Sequence, residues 1–333
     1  MSRISLALVV VAAALGVTAV AGASPTGGSL TLVAYSTPKT VMGKIIEAWQ
    51  KTPDGKDWSF QQSYGASGDQ AKAVAAGLKA DVVFLSTGLD VNTLVDAGLV
   101  DSNWDKQSYK GIAADTVVVF AVRNGNPKHI KAWSDLLKPG VQVVTPNPFS
   151  SGSAKWNVLA AYAAQRRLGK TDKQAITFVT NLFRHVVSQD TSGRNATNTF
   201  LAGKGDVLLT YESEALVSRA AGTDIQFVIP RQTMLIELPI AVIKSSANKD
   251  AAQKFIRFTK SDTAQTLFGD AGWRPVVPAI AKKYASKYPA RPGIFRISDS
   301  YFGGWRKTDK RWFDVKNGLM VGIEKTVGGP SGG

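Results

Sequence analysis

The chain has no cysteine and only two histidines in 333 residues. Without cysteine there are no disulfides, no thiolate ligands for a structural zinc and no anchor point for lipid attachment at an export site. His129 and His185 would leave a zinc site relying on carboxylates in unfavourable spacing, so neither a metal nor a cofactor is expected. The turn GASGDQAK lacks the GxxxxGK spacing of a nucleotide-cradling loop, and no GxSxG elbow marks a serine nucleophile. Glu212 and Glu214 alternate or sit on a helix start, which supports a glycosidase-like carboxylate pair only weakly. No catalytic set emerges, and the chain reads as a binding protein rather than an enzyme. Beyond the first 23 residues no segment approaches ~20 continuous apolar residues, so none spans a bilayer.

What is present is a folded globular composition, 44% hydrophobic and 20% charged, long enough for more than one core. The start carries Arg3, an apolar stretch and then Ala21-Gly22-Ala23, the pattern of a secretory leader over residues 1–23. An exported protein, periplasmic or extracytoplasmic and not a lipoprotein, follows. An uncleaved leader would instead be a tether, since Ile4 to Ala23 is nearly long enough to cross a bilayer. The formal charge of +15 comes from basic residues spread along the chain, with modest clusters at Arg166-Arg167 and from Arg306 to Arg311. There is no continuous basic tract, so a solvated basic surface is expected and nucleic acid is not.

Along the chain, SLTLVAYST alternates as a strand from Ser29 and is followed by a helical face of Val41, Ile45, Ile46 and Trp49. WSFQQSY, a helix from Gln70 to Leu78, and ADVVFLS continue the alternation, which signals an α/β architecture with a mainly parallel sheet. Long apolar strands near 115 and 235 read as crossings between two lobes. This places residues 29–114 and 242–333 in lobe 1 and residues 115–241, crossing strands included, in lobe 2.

Two junctions, QQSYGASGDQAKAV and TPNPFSSGSAKWNVLAA, are polar Gly/Ser runs opening directly into amphipathic helices. Such a junction presents unpaired N–H groups, a hydroxyl and the positive end of a helix dipole, which together hold an anion. Plain helix capping by Ser67 and Ser151 is the competing reading. Strand-to-helix turns at Ser36-Thr37, Ser67-Gly68, Ser151-Gly152-Ser153 and Thr191 to Asn195, with Tyr211 at a fifth strand end, are expected to face one cleft between the lobes. Trp133, Trp156, Trp273 and Trp305 read as core, with sugar stacking as the other reading.

At these residues the chain resembles the bacterial sulfate-binding proteins, the solute receptors of sulfate ABC transporters. The resemblance rests on SYGASGDQA, KADVVFLS, FAVRNGNPKHIKAWSDLLKPGVQVVTPNP, SSGSAKWNVLAA, GRNATNTF, GKGDVLLTYESEAL and FGGWRKTDKRWF. It implies the two-lobed type II periplasmic-binding-protein fold, with mixed, mainly parallel sheets, helices on both faces and a ligand cleft between the lobes. It further implies a monomer that captures dehydrated sulfate, thiosulfate included as a relative, with neutral donors and delivers it to a membrane ABC permease. Ligand contacts carry over to Ser67, to Ser151, Gly152 and Ser153, to the backbone of Gly193, and to Tyr211, where the family has an indole. The family's Asp-Pro-Thr is here Ser36-Thr37-Pro38, so the carboxylate bracing that turn is missing.

Asp69 bears on the anion. Sulfate offers only acceptors, whereas a protonated phosphate needs an acceptor such as a carboxylate. As a first-turn acid Asp69 is expected to face solvent. Alternatives left open are a receptor for phosphate or molybdate and an exported enzyme acting on sulfated or phosphorylated substrates.

Overall fold

The computed structural model describes residues 27–330, and the expected leader at 1–23 lies outside them. The first flank is β1 (Gly28–Tyr35), α1 (Lys39–Trp49), β2 (Trp58–Gly65), α2 (Ser67–Ala75), β3 (Val82–Phe84) and α3 (Gly88–Asp96). β1 runs parallel to both β2 and β3. Helix α1 buries Val41, Met42, Ile45, Ile46 and Trp49, the one-sided stripe that a period of 3.6 requires when a helix covers a sheet. β3 is buried throughout, which is why VVF shows no polar alternation.

A long strand, β4 (Ile112–Arg123), leads into the second flank: β5 (Val143–Pro146), α4 (Gly152–Arg167), α5 (Asp172–Arg184), β6 (Val186–Asp190), α6 (Gly193–Leu201), β7 (Val207–Tyr211), α7 (Glu212–Ala220) and β8 (Ile225–Val228). The chain returns through β9 (Thr233–Val242) to α8 (Lys249–Phe258), α9 (Asp262–Ala271), α10 (Pro278–Lys283), β10 (Ile294–Phe295), α11 (Trp305–Thr308) and α12 (Leu319–Val327), with a π-helical turn at Asp309–Phe313. Strand order is β2-β1-β3-β9-β4-β7-β5-β6, with β8 on β4 and β10 on β9.

The fold is α/β with a mixed sheet, but apart from the two-residue β10 beside β9 its parallel pairs lie on the flanks. At the centre β3–β9, β4–β9, β4–β7 and β4–β8 are all antiparallel. The reason is connectivity: β4 carries the chain out of the first flank and β9 brings it back, so the two must run in opposite directions. Their pairing extends from Ile112↔Pro239 to Val117↔Leu235, interrupted by one irregularity near Ile112. Helix α4 is buried from Gly152 to Gln165, and its alanines at 154, 160, 161, 163 and 164 let it sit close to its neighbours.

The last segment differs from the expectation that 242–333 rejoins the first flank as a whole. Trp312 packs edge-on to Tyr162 of α4 at 4.9 Å, Arg311 bonds both carboxylate oxygens of Asp172 on α5, and Glu324 of α12 accepts from Gln189 of β6. Arg306, a few residues earlier, pairs with Asp96 of α3. The chain after Trp305 therefore touches both flanks.

Candidate functional site

A small cavity lies where the carboxyl ends of the parallel strands from both flanks converge. The described residues lining it come from six turns. Tyr35, Ser36 and Thr37 precede α1, Ala66 and Ser67 open α2, and Ser86 precedes α3. Ser151, Gly152 and Ser153 open α4, Gly193 opens α6, and Tyr211 is the residue before α7. All eight residues expected from the sequence are brought together. None of the lining residues carries a formal charge.

The geometry follows from where strands end. Successive βα units put every strand-to-helix turn on one edge of the sheet, so the first-turn N–H groups of the helices, which have no intrahelical acceptor, point at a common space. Six helix N-termini add their partial positive charges there without a formal cation.

Several hydroxyls at this cavity are buried and bond to nothing in the protein. They are Thr37 Oγ1, Ser86 Oγ, Ser153 Oγ and the Tyr211 hydroxyl. Burial pushes the Tyr211 hydroxyl well above its ordinary range, against the smaller opposing effects of the Ser86 and Ser153 hydroxyls, so it remains a proton donor. Burial likewise raises Tyr35, whose oxygen accepts from the Trp273 indole at 3.1 Å.

The two serines read as caps behave otherwise. Helix α2 begins at Ser67 with Ala66 as its cap residue, so Ser67 caps nothing. Its hydroxyl donates to Asp90 Oδ2 at 2.6 Å and accepts from the Ser86 N–H at 2.9 Å. Its proton is thus committed to Asp90, contrary to the expectation that it faces the ligand, and only its backbone N–H is left for the cavity. Ser151 does occupy the cap position of α4, yet its side chain makes no capping bond.

Asp90 is the residue that the sequence did not reveal. It is buried on α3, and its second oxygen accepts from Lys155 Nζ of α4 at 3.1 Å, an ion pair between the flanks with both side chains buried. A buried carboxylate therefore braces the site from α3, not from the first turn where the family pattern carries one. Its signal was available: STGLD follows a buried strand, and the Thr87 hydroxyl caps the Asp90 N–H at 3.1 Å. Ser86 was missed although Ser86-Thr87-Gly88 is itself a Ser/Gly turn opening a helix, the same signal that marked Ser67-Gly68.

Other contacts close the cavity. The Gly68 N–H donates to the Ser150 carbonyl at 3.0 Å, and the Trp156 indole donates to the Ser86 carbonyl at 2.7 Å. Arg194 Nη2 reaches the Thr37 carbonyl at 3.3 Å and lies 3.1 Å from Glu214 of α7. Burial raises Glu214 to about 7, against the pull of Arg194 and the Thr197 hydroxyl. A Cβ added to Gly152 would meet Ser86 Oγ at 1.9 Å, so only glycine allows this approach.

Asp69 is exposed and does not line the cavity, as expected of a first-turn acid. Glu212 and Glu214 do not form a working pair, because Glu212 is held by Arg274 at 2.7 and 3.1 Å and Glu214 by Arg194. Trp133, Trp156 and Trp273 are buried, and Trp305 packs on Trp156 at 4.7 Å. His185 meets the Val141 carbonyl through Nδ1 at 3.0 Å, a structural contact. Among the described residues no cluster of His, Asp and Glu is arranged to hold a metal. Larger hollows beside Lys244 and Lys260 and beside Trp104 and Arg306, about 400 and 540 Å³, are not lined by this set of converging turns.

Residues 30–274 match the family described as bacterial extracellular solute-binding protein. The chain is 45% identical to the sulfate-binding protein SubI from Mycobacterium tuberculosis H37Rv, and the two structures superpose with a TM-score of 0.83 over 86% of this chain and 100% of that one. A sulfate-binding protein of Synechococcus elongatus is 35% identical over 319 residues, 90% of this chain and 91% of the relative. A thiosulfate-binding protein of Pseudomonas aeruginosa is 35% identical over 307 residues, 89% of this chain and 92% of the relative.

Proposed function

The chain belongs to the bacterial extracellular solute-binding proteins, among the sulfate-binding proteins, and we propose that it captures sulfate in the cavity between its flanks and delivers it to a membrane ABC permease. It is a binding protein, not an enzyme, as its relatives are. The observation that carries the ligand assignment is the set of buried hydroxyls of Thr37, Ser86, Ser153 and Tyr211 without protein acceptors, converging with six helix N-termini in an uncharged cavity.

Each of these hydroxyls holds a proton that needs an acceptor, and buried donors left unmatched are costly. A tetrahedral dianion with four acceptor oxygens and no proton of its own satisfies them all. The dipoles of the helices offset its charge without a counter-ion. In this reading Ser36, Thr37, Ser151, Gly152, Ser153, Gly193 and Tyr211 contact the ligand, and Ser67 contributes its backbone N–H while Asp90 holds its side chain.

The lobes would comprise 29–114 with most of 242–333, and 115–241, with the C-terminal helix α12 lying on the second. The protein would act as an exported monomer once residues 1–23 are removed, without a lipid anchor. Thiosulfate, which the Pseudomonas relative is named for, fits the same donors with one oxygen replaced by sulfur. Isothermal titration of the ligand-free protein with sulfate, thiosulfate, phosphate and molybdate tests the assignment. Saturable one-to-one binding of sulfate, with phosphate much weaker, is expected, and binding of phosphate or molybdate in preference to sulfate would overturn it.

A further inference from the structure

We infer that Ser86 supplies the side-chain donor that Ser67 withholds, and so is a further ligand-contacting residue that sets the preference for an unprotonated oxyanion. The inference rests on the receptor reading above. Ser67 can give its single proton to one acceptor, and that acceptor is Asp90 Oδ2, at 2.6 Å. The first flank then has to supply a hydroxyl from elsewhere. Ser86 is the neighbouring candidate, because its own N–H is the group that Ser67 Oγ accepts.

The backbone of Ser86 is pinned from both sides. Its N–H is bound by Ser67 on the first flank, and its carbonyl accepts the Trp156 indole of α4 on the second, at 2.7 Å. With one peptide group held within the first flank and the other held by the second, the side chain is fixed over the opening of α4. Ser86 is 1% exposed and lines the cavity, and its buried hydroxyl has no partner in the protein. It lies so near Gly152 that a Cβ there would meet it at 1.9 Å, and it is close enough to the Tyr211 hydroxyl to affect that group's acidity.

Two hydroxyls from opposite flanks, Ser86 and Tyr211, thus line the cavity together with Gly152. A hydroxyl that gives its O–H to the ligand accepts in return only through its lone pairs, and the lining residues offer no carboxylate, the acceptor that a protonated oxyanion needs. That corner therefore favours a bare oxygen of a dianion over a protonated one. It also explains why a carboxylate, Asp90, can lie behind the site without repelling the ligand. Its two oxygens are occupied by Ser67 and Lys155, and the hydroxyl of Ser86 stands on the ligand side.

The test is sulfate titration of wild type and Ser86→Ala by calorimetry, with thermal melting of both ligand-free proteins. Loss of one hydrogen bond to a charged group is expected to weaken sulfate roughly tenfold to a hundredfold. The melting temperature without ligand should hold, because the hydroxyl has no protein partner to lose. Ser86→Cys, which keeps the side chain but replaces the hydroxyl with a weak donor, should weaken sulfate in the same direction. Wild-type affinity in Ser86→Ala would overturn the inference and leave the receptor reading intact, as would a loss matched by reduced ligand-free stability. A wild type that takes up no sulfate would overturn the receptor reading itself, and this inference with it.

Discussion

Ser67 and Ser151 both stand between a strand and a helix, both precede a glycine, and both are buried, 3% and 2% exposed. In sequence the two junctions look alike. In the structure Ser67 has become the first residue of α2 and its hydroxyl is consumed by Asp90 and the Ser86 N–H, whereas Ser151 stays in the cap position with no capping bond. The difference is set by residues far along the chain. Asp90, 23 positions away, arrives on α3 and claims the hydroxyl of Ser67, while no carboxylate is bonded to Ser151. A local motif thus fixes where a helix starts, and the tertiary neighbours decide whether its hydroxyl serves the fold or the ligand.

The most severe way to break this arrangement is at Gly152. An alanine Cβ there would meet Ser86 Oγ at 1.9 Å, Thr87 Cγ2 at 2.9 Å and Asp90 Oδ2 at 3.3 Å, all on the opposite flank. Gly152→Ala should lower sulfate affinity a hundredfold or more, about 2.7 kcal/mol, in calorimetric titration. Wild-type affinity would show that the flanks need not approach this closely.

The comparison of the two serines comes next in size. Ser67→Ala leaves Asp90 buried with one fewer donor and the Ser86 N–H without its acceptor, so ligand-free stability should fall by about 1–3 kcal/mol in chemical denaturation. Ser151→Ala should instead leave stability nearly unchanged and weaken sulfate by about 1.5–3 kcal/mol, the range for hydrogen bonds to charged groups. Reversed outcomes would mean that Ser67 carries the ligand and Ser151 the fold.

Much of this was readable beforehand. The stripe Val41, Ile45, Ile46 and Trp49 named the buried face of α1, and the Gly/Ser turns marked helix starts because strands must end before the ligand edge of the sheet. The eight proposed contacts meet at one cavity. What could not be read were relations between distant segments. The antiparallel centre depends on β9 returning beside β4, the ion pair Asp90–Lys155 joins helices 65 residues apart, and the attachment of α12 to the second flank depends on Glu324 meeting Gln189. Periodicity and capping rules see only neighbours in sequence, so none of these leaves a local trace.

A smaller effect is expected at Tyr211, which stands where the family pattern has an indole. Tyr211→Phe should weaken sulfate about tenfold while the fold is kept, since the hydroxyl has no protein acceptor. Tyr211→Trp should remain within about 1.4 kcal/mol of wild type if the indole N–H can take over as donor. A silent Phe substitution together with a damaging Trp substitution would remove Tyr211 from the site.

An effect on stability alone, and not on the ligand, is a pH dependence from Glu214. Burial raises its folded-state value to about 7 from the ordinary 4.5, so the folded protein binds the proton more tightly than the unfolded chain. Its contribution is fully present below about 4.5 and is lost as pH rises to about 7, on the order of 1 kcal/mol per pH unit across that window. Denaturation of Glu214→Gln between pH 4.5 and 7 should show a flatter slope than wild type. An unchanged slope would place the titration elsewhere.

The central claim is that the cavity offers donors and no carboxylate acceptor, and competition between sulfate and phosphate at pH 5 and pH 8 tests it most directly. Phosphate carries at least one proton throughout this range, whereas sulfate carries none, so sulfate should be preferred by at least about a hundredfold at both pH values, or roughly 2.7 kcal/mol. Phosphate bound as tightly as sulfate at either pH would show that the site contains such an acceptor and would contradict the account.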